Sequence, residues 1–220
     1  MKRRDRMTPA PPSPITAVLL AGGQGLRMGG VNKGLQLFGG VPLARNALER
    51  LGRQSCPPAQ VLISANRDLQ DYRALGVPVW PDSVPGHAGP LAGFLTGLAH
   101  CRTPLLLTLP CDVPRFPLSL CERMARALHE AQAEIVMAFA PMDDTGTAHP
   151  QPVFCLLRAD ARTGLHASLA AFLAGGGRKV RAWAARHRMA LAHFDTPQDD
   201  PRAFANANTL EELHAIEQKR

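Results

Sequence analysis

The feature that most constrains the fold of this chain is a short apolar run followed at once by a glycine-rich stretch. Residues 15–20, ITAVLL, have the length and branching typical of a buried strand. Five glycines then lie between positions 22 and 30, with Arg27 and Lys33 beside them. Main-chain amides exposed in such a turn, with two cations nearby, form a site for phosphate oxygens. We therefore expect a nucleoside triphosphate site at the carboxyl end of the first strand.

Two common glycine motifs do not describe this stretch. A dinucleotide fingerprint requires G-x-G-x-x-G, but the run GQGLR that starts at Gly23 is followed by Met28. A P-loop requires G-x-x-x-x-G-K-[ST], but residues 25–30 are followed by Val31. A glycine-rich surface loop without a ligand is the alternative interpretation of the same residues.

The loop resembles a different signature. Residues 20–29 read L-A-G-G-x-x-x-R-M-G, and Lys33 follows Met28 by five positions. This pattern resembles the loop of the nucleotidyltransferases that move NMP groups and, within that superfamily, the molybdenum cofactor guanylyltransferase family. The resemblance implies a nucleotide contact for Lys33 and catalytic roles for Arg27 and Lys33. It also implies nucleotide contacts for the residues that open the loop, which are Leu20, Ala21, Gly22 and Gly23.

One position departs from the resembled pattern. Residue 32 is Asn, whereas the family often has Asp before the lysine. A role for a carboxylate at Asn32 therefore has no support.

Polar residues follow the next two predicted strands. Residues 61–65, VLISA, read as a second parallel strand that Asn66 follows directly, and the short strand 77–80 is followed by Asp82. Ligands bind at strand ends in an open α/β sheet. The resemblance implies that Asn66 and Asp82 contact the nucleotide, while a turn or capping role is the alternative for each.

The stretch G-P-L-A-G at residues 89–93 is similar to a second fingerprint of the family. A helix is expected to begin just after its proline, and Gly89 allows a ligand to approach the backbone closely. We therefore include Gly89 among the nucleotide-binding residues.

The second most informative stretch is PCDVP, residues 110–114, which follows the central apolar strand 105–109. A carboxylate at the exit of a central strand can hold Mg²⁺, which prefers oxygen ligands. The flanking prolines restrict the backbone and hold Asp112 in place. P-C-D-x-P is similar to the metal-binding turn of the family, which implies that Asp112 binds Mg²⁺ and nucleotide and takes part in catalysis. A simple turn residue is the alternative.

Two later stretches resemble regions of the family that border the pterin substrate. His149 and Pro150 form an H-P pair, and residues 204–213 read F-x-N-x-N-T-x-E-E-L. Asn206 and Asn208 alternate, so both amides point to one face of an extended segment and suit the edge of a heterocycle. The resemblance implies pterin contacts for these two residues and for His149, which is equally well interpreted as a turn residue.

Composition limits the remaining possibilities. The chain has 220 residues and a net charge of +7, which suits polyanionic ligands. The basic segment 178–188 suggests nucleic-acid or membrane-surface binding or, as we prefer, a helix docked through Val180 and Trp183. Five scattered cysteines and the absence of an apolar run of about 20 residues indicate a cytoplasmic protein without a membrane segment. Aromatic residues make up 5% of the chain and show no stacking pattern, so we expect no nucleic-acid partner.

Together these patterns predict a single doubly wound, Rossmann-like α/β domain with a mostly parallel sheet over residues 15–220. Residues 1–14, which are basic and proline-rich, are expected to form a disordered arm. We also expect Arg50 to lie in solvent and Ser168 to cap a helix over residues 169–174.

The resemblance implies that the enzyme transfers GMP from GTP to molybdenum-molybdopterin, with Mg²⁺ as cofactor and other molybdenum cofactor biosynthesis or acceptor proteins as further partners. Two alternatives stay open. One is a cytidylyltransferase that acts on the same pterin or on a sugar phosphate. The other is a module that binds a nucleotide without catalysis.

Overall fold

The computed structural model describes residues 13–23, 32–84, 89–143, 145–207 and 212–213. Most of the predicted arm, residues 1–12, lies outside this part of the chain. The strands are β1 (Ile15–Leu20), β2 (Leu37–Phe38), β3 (Val41–Pro42), β4 (Gln60–Ser64), β5 (Val79–Trp80), β6 (Leu105–Pro110), β7 (Ile135–Ala140), β8 (His149–Arg158) and β9 (Met189–His193). The α-helices are α1 (Leu43–Gly52), α2 (Leu69–Arg73), α3 (Pro90–His100), α4 (Leu120–Glu130), α5 (Leu165–Ala174) and α6 (Val180–Ala184).

Seven strands form one mixed sheet in the order β5-β4-β1-β6-β8-β7-β9. All neighbouring pairs are parallel except the two that involve β8. The predicted mostly parallel sheet is therefore confirmed. The end of β1 lies between the ends of β4 and β6, since Leu20 pairs with both Ser64 and Pro110. Because β8 runs the opposite way, its first residue, His149, lies on the edge where the parallel strands end; we call this the carboxyl edge.

Alternation along the strands explains why helices cover both faces of the sheet. In β1, Ile15, Ala17 and Leu19 pack in one apolar cluster, while Val18 packs in the other. The first cluster contains residues of α1, α2 and α4, and the second contains residues of α3, α5 and α6. A strand buried on both faces with helices on each side is the doubly wound architecture that the apolar runs predict.

Two glycines let α3 lie close against β1. A Cβ atom added to Gly97 would lie 2.9 Å from Val18 Cγ1, and one added to Gly93 would lie 2.5 Å from Leu20 Cδ2. The helix can pack at this distance only because neither residue has a side chain. Its first turn is thereby held next to the end of β1.

The basic segment near residue 180 packs through its apolar residues, as the sequence predicts. Val180 and Trp183 are buried, and Trp183 Nε1 donates to Ser168 Oγ at 3.3 Å. The predicted capping role of Ser168 is wrong. Helix α5 already begins at Leu165, after Gly164 with a φ of 64°, and Ser168 lies inside it.

None of the helices in the described ranges is long and apolar enough to cross a bilayer.

Candidate active site

Lys33 and Asp112 meet at the carboxyl edge of the sheet although 79 positions separate them. Asp112 follows β6, and the amide of Cys111 donates to the carbonyl oxygen of Leu20 at 3.2 Å. Lys33 begins the 3₁₀ turn Lys33–Leu35 that follows the glycine loop. The distance from Lys33 Nζ to Asp112 Oδ2 is 3.0 Å, with 25% and 15% of the two side chains exposed. An ammonium and a carboxylate thus share one partly open site.

The first residues of the glycine loop pack on a pair of side chains that follow β4 and β5. Asn66 Nδ2 donates to Asp82 Oδ2 at 2.8 Å, and the amide of Asp82 donates to Asn66 Oδ1 at 2.9 Å. Ser64 Oγ donates to the other carboxylate oxygen of Asp82 at 2.6 Å. A Cβ atom on Gly22 would lie 2.9 Å from Asn66 Nδ2. Only glycine at position 22 lets the backbone approach this pair so closely.

The segment after β4 contacts both ends of the loop. At the upstream end, the amide of Ala21 donates to the carbonyl oxygen of Ser64 at 2.8 Å, and Arg67 Nη2 lies 3.4 Å from the carbonyl oxygen of Gly23. At the downstream end, Asn32 Nδ2 donates to Asp68 Oδ2 at 2.8 Å. The residues between these ends, including the predicted catalytic Arg27, lie outside the described residues.

Asn32 has a second partner. Tyr72 Oη donates to Asn32 Oδ1 at 2.6 Å, and the Tyr72 side chain is fully buried. Burial raises the pKa of the Tyr72 hydroxyl far above its ordinary value, so this group remains a neutral donor. Sequence reasoning did not identify Asp68 or Tyr72. The sequence signal for these two contacts is Asn32, which stands where the resembled family often has Asp.

Gly89 lies at the start of α3. Its φ is 67°, in the region that favours glycine, and Pro90 is the first residue of the helix. Since Gly93, one turn later, packs on Leu20 and Ser64, this end of α3 lies at the carboxyl edge. The glycine therefore brings exposed backbone to the same side as Asp82.

The C-terminal segment contacts the turn that carries Asp112. The amide of Ala207 donates to the carbonyl oxygen of Asp112 at 2.9 Å, which brings the neighbouring Asn206 to the site. Its predicted companion, Asn208, lies outside the described residues. His149 is exposed at the carboxyl edge, where it pairs with Ala140 at the end of β7.

The segment that follows Asp112 is held by side chains from α1 and from the turn after that helix. Arg50 Nη2 donates to the carbonyl oxygen of Arg115 at 3.0 Å, and Arg50 Nε donates to that of Phe116. Gln54 Nε2 donates to the carbonyl oxygen of Pro117 at 3.0 Å. The expectation that Arg50 lies in solvent is therefore wrong, and burial lowers the pKa of its guanidinium. Amphipathic spacing marks the apolar stripe of a helix but does not show which flanking cation reaches a neighbouring turn.

The donor set suits a cation that arrives with phosphates. In the described ranges, no group of three or more His, Cys, Asp or Glu side chains could hold a metal ion. Mg²⁺ is commonly bound by one or two carboxylates together with substrate phosphates rather than by an all-protein cage. A single partly exposed carboxylate at Asp112, with the Lys33 ammonium beside it, fits that arrangement.

Three of the five cysteines are not placed for nucleophilic chemistry. Cys111, Cys121 and Cys155 are buried. Burial raises the pKa of Cys121 to about 12 and raises the pKa values of Cys111 and Cys155 as well. Thiols that stay protonated at neutral pH are poor nucleophiles, so these three are packing residues.

Comparison with known proteins gives consistent results. Residues 17–193 match the family model described as the MobA-like NTP transferase domain. A molybdenum cofactor guanylyltransferase from Albidiferax ferrireducens is 53% identical over 210 residues, which cover 94% of this chain and 97% of the relative.

Two solved structures show the same fold at low sequence identity. One is a molybdopterin-guanine dinucleotide biosynthesis protein A from Archaeoglobus fulgidus, with a TM-score of 0.71, 18% identity, and coverage of 92% of this chain and 97% of that chain. The other is a 4-diphosphocytidyl-2C-methyl-D-erythritol synthase from Anaerococcus prevotii, with a TM-score of 0.69, 14% identity, and coverage of 94% and 98%. At these identities the likeness concerns the fold alone.

Proposed function

The chain belongs to the MobA-like NTP transferase domain family, and on that premise we propose that it is a molybdenum cofactor guanylyltransferase. It transfers GMP from GTP to molybdenum-molybdopterin, forms the guanine dinucleotide cofactor and releases pyrophosphate. The observation that carries this function is the 3.0 Å contact between Lys33 Nζ and Asp112 Oδ2 beside the glycine loop. It provides one cation for phosphates and one carboxylate for a metal within a single site.

The reaction needs no protein nucleophile. The terminal phosphate of the pterin is ionised at neutral pH, and one of its oxygens attacks the α-phosphorus of GTP in line. The new bond joins that oxygen to the α-phosphorus, while the bond from the α-phosphorus to the bridging oxygen of the β-phosphate breaks. Pyrophosphate leaves with the electron pair of that bond. The contribution of the protein is positioning and charge stabilisation.

Lys33 stabilises the charge that develops on the leaving pyrophosphate. A lysine ammonium has three N–H donors, so Lys33 can keep its bond to Asp112 and still donate to phosphate oxygens. Arg27 is proposed to add a second cation on the same phosphates. Leu20, Ala21, Gly22 and Gly23, which open the loop at the end of β1, are proposed to contact the nucleotide. Because the amide of Ala21 already donates to the carbonyl oxygen of Ser64, the amides of Gly22 and Gly23 are the proposed further donors to phosphate.

Asp112 is the proposed ligand for Mg²⁺. When bound, the metal neutralises negative charge on the phosphate oxygens and acts as a Lewis acid. The segment that follows this carboxylate is held by Arg50, which donates to the carbonyl oxygen of Arg115, and by Gln54, which donates to that of Pro117.

The remaining site residues recognise the two substrates. Asn66 and Asp82, joined by two hydrogen bonds, together with Gly89, line the nucleotide side of the carboxyl edge. Asn206, next to Asp112, together with Asn208 and His149, is proposed to contact the pterin. Other proteins of molybdenum cofactor biosynthesis are proposed to deliver the pterin or accept the product.

A pyrophosphate-release assay tests this function. The purified chain is mixed with Mg²⁺, molybdenum-molybdopterin and one of the four nucleoside triphosphates at a time. We expect release with GTP that requires the pterin. Release with CTP instead of GTP would favour the cytidylyltransferase, and GTP binding without release under any condition would indicate a binding module.

A further inference from the structure

The downstream end of the glycine loop is fixed by three side chains that the reaction itself does not use. Asn32 donates to Asp68 Oδ2 at 2.8 Å and accepts from Tyr72 Oη at 2.6 Å. Only 9% of Asn32 is exposed, and Tyr72 is fully buried. The side-chain amide of Asn32 therefore makes two hydrogen bonds, with its nitrogen as donor and its oxygen as acceptor.

The chain directly after Asn32 is fixed on the same tyrosine. A Cβ atom on Gly34 would lie 2.3 Å from Tyr72 Oη, so the backbone of Gly34 lies against that hydroxyl. The amide of Leu35 donates to the carbonyl oxygen of Asn32 at 3.1 Å, which closes a tight turn around Lys33. Lys33 lies between two residues that both contact Tyr72, and its ammonium extends from this turn to Asp112.

Asp68 is itself held in an unusual conformation. It has a φ of 51° and a ψ of 37°, a left-handed backbone that is uncommon outside glycine but tolerated by Asp and Asn. Its carbonyl oxygen accepts from the amides of Asp71 and Tyr72, while its side chain makes no capping bond to α2. The carboxylate is therefore directed to Asn32 rather than used to start the helix.

We propose that Asn32 is a positioning residue for Lys33. Its hydrogen bond to Asp68 sets the position at which the ammonium of Lys33 meets the phosphates of the nucleotide. The inference rests on the proposed function of Lys33 and extends it to three residues to which the proposed reaction assigns no contact. An amide is required at position 32 because it must donate to a carboxylate and accept from a hydroxyl. A carboxylate of the same shape would face Asp68 Oδ2 with like charge.

The sharpest test exchanges the amide at position 32 and the carboxylate at position 68. Asn32→Asp sets two carboxylates against each other, and we expect kcat/KM for GTP to fall about 10- to 100-fold, the range typical of residues that orient a reacting group. Asp68→Asn leaves two amides, one of which can turn to accept, so its effect stays within about threefold.

The double variant Asn32→Asp with Asp68→Asn again pairs one amide with one carboxylate. Tyr72 can still donate to an oxygen at position 32, and Asn is compatible with the backbone at position 68. Activity should return to within about threefold of wild type.

A second cycle separates positioning from general structural support. In a Lys33→Ala background there is no ammonium to position, so adding Asn32→Asp should change kcat/KM by less than about threefold. If Asn32 only stabilised the fold, the two effects would multiply instead. Melting temperatures are measured for every variant. Asp71→Asn, a change of the same kind on the exposed side of α2, serves as the matched control and should match wild type.

The same variants are titrated with a fluorescent GTP analogue in the presence of Mg²⁺. This binding readout keeps a failure of the proposed function distinct from a failure of the inference. If wild type binds the analogue but releases no pyrophosphate, the proposed function fails, and the two cycles are read from the dissociation constants. The inference is overturned if Asn32→Asp behaves like wild type, if the exchange restores nothing, or if Asn32→Asp acts as strongly without Lys33 as with it.

Discussion

The replacement Asp112→Asn separates the chemistry of the site from the stability of the fold. The substitution keeps the size and shape of the side chain but removes its charge, and an amide oxygen is a much weaker ligand for Mg²⁺. Asp112 and Lys33 are 15% and 25% exposed, so their ion pair is partly hydrated. Fully exposed pairs contribute about 0.2–1 kcal/mol to stability, and this less exposed, hydrogen-bonded pair is expected to contribute up to about 1.5 kcal/mol. In a chain of this length that corresponds to a fall in Tm of up to about 6 °C.

The expected loss of activity is much larger than the loss of stability. Removing one preorganised group that stabilises transition-state charge typically lowers kcat about 10²- to 10³-fold, which corresponds to about 2.7–4 kcal/mol. The assay is pyrophosphate release at saturating GTP and pterin over a range of Mg²⁺ concentrations, with Tm measured on the same samples. Glu122→Gln is the matched control, because it breaks the 2.6 Å ion pair with Arg126 on the exposed surface of α4. We expect this control to retain wild-type kcat.

Two results would refute the reasoning. A kcat for Asp112→Asn within about threefold of wild type would exclude a role for the Asp112 carboxylate in the reaction. A loss of activity accompanied by a fall in Tm of more than about 10 °C would indicate that Asp112 has a structural role instead.

The remaining predictions concern the lysine, the tyrosine contact and one histidine. Lys33→Ala removes a charged donor to the phosphates and should lower kcat/KM for GTP roughly 10- to 150-fold, while wild-type kinetics would exclude Lys33 from the site. Gly34→Ala places a Cβ atom 2.3 Å from Tyr72 Oη, an overpacking worth about 1–3 kcal/mol. Thermal unfolding should show the loss, whereas Gly52→Ala, which meets no atom within 4 Å, should not; equal Tm values for the two variants would contradict the packing argument. Burial lowers the pKa of His187 below its ordinary value of 6.5, so the unfolded chain binds more protons and stability should fall as the pH drops below about 6.5. His187→Gln should flatten that part of the stability profile measured by urea unfolding, and an unchanged slope would assign the effect to other groups.

The fold could be predicted because each strand is marked by composition as well as by length. The run Ile135–Ala140, for example, is apolar on both faces and forms β7. The antiparallel direction of β8 in the seven-stranded sheet could not be predicted, since strand orientation depends on the connection and not on the apolar pattern. Residues 149–152, in which His149 and Gln151 alternate with prolines, carry no strand pattern, yet β8 begins at His149. In the structure these residues pair with the end of β7 after an irregularity between Met137 and Ala138.

The sequence indicates candidate site residues where they lie in a motif beside a strand end, as Gly22 and Asp112 do, and their roles in binding and catalysis stay predictions. It does not indicate residues that reach the site through long-range pairing. The contact of Asn32 with Asp68 spans 36 positions, and that of Arg50 with the carbonyl oxygen of Arg115 spans 65. No local pattern encodes such pairs. For the contact between Asn32 and Asp68, the sequence signal is an asparagine at a position where the resembled family often has aspartate.

The most direct test of the account is a crystal structure of the enzyme with Mn²⁺ in place of Mg²⁺ and a GTP analogue that resists cleavage. The anomalous signal of manganese locates the metal independently of the nucleotide density. We predict a manganese peak at the carboxylate of Asp112, with phosphate oxygens of the analogue on the metal and within hydrogen-bond distance of Lys33 Nζ. A triphosphate bound away from the carboxyl edge, or a metal that does not contact Asp112, would contradict the central claim.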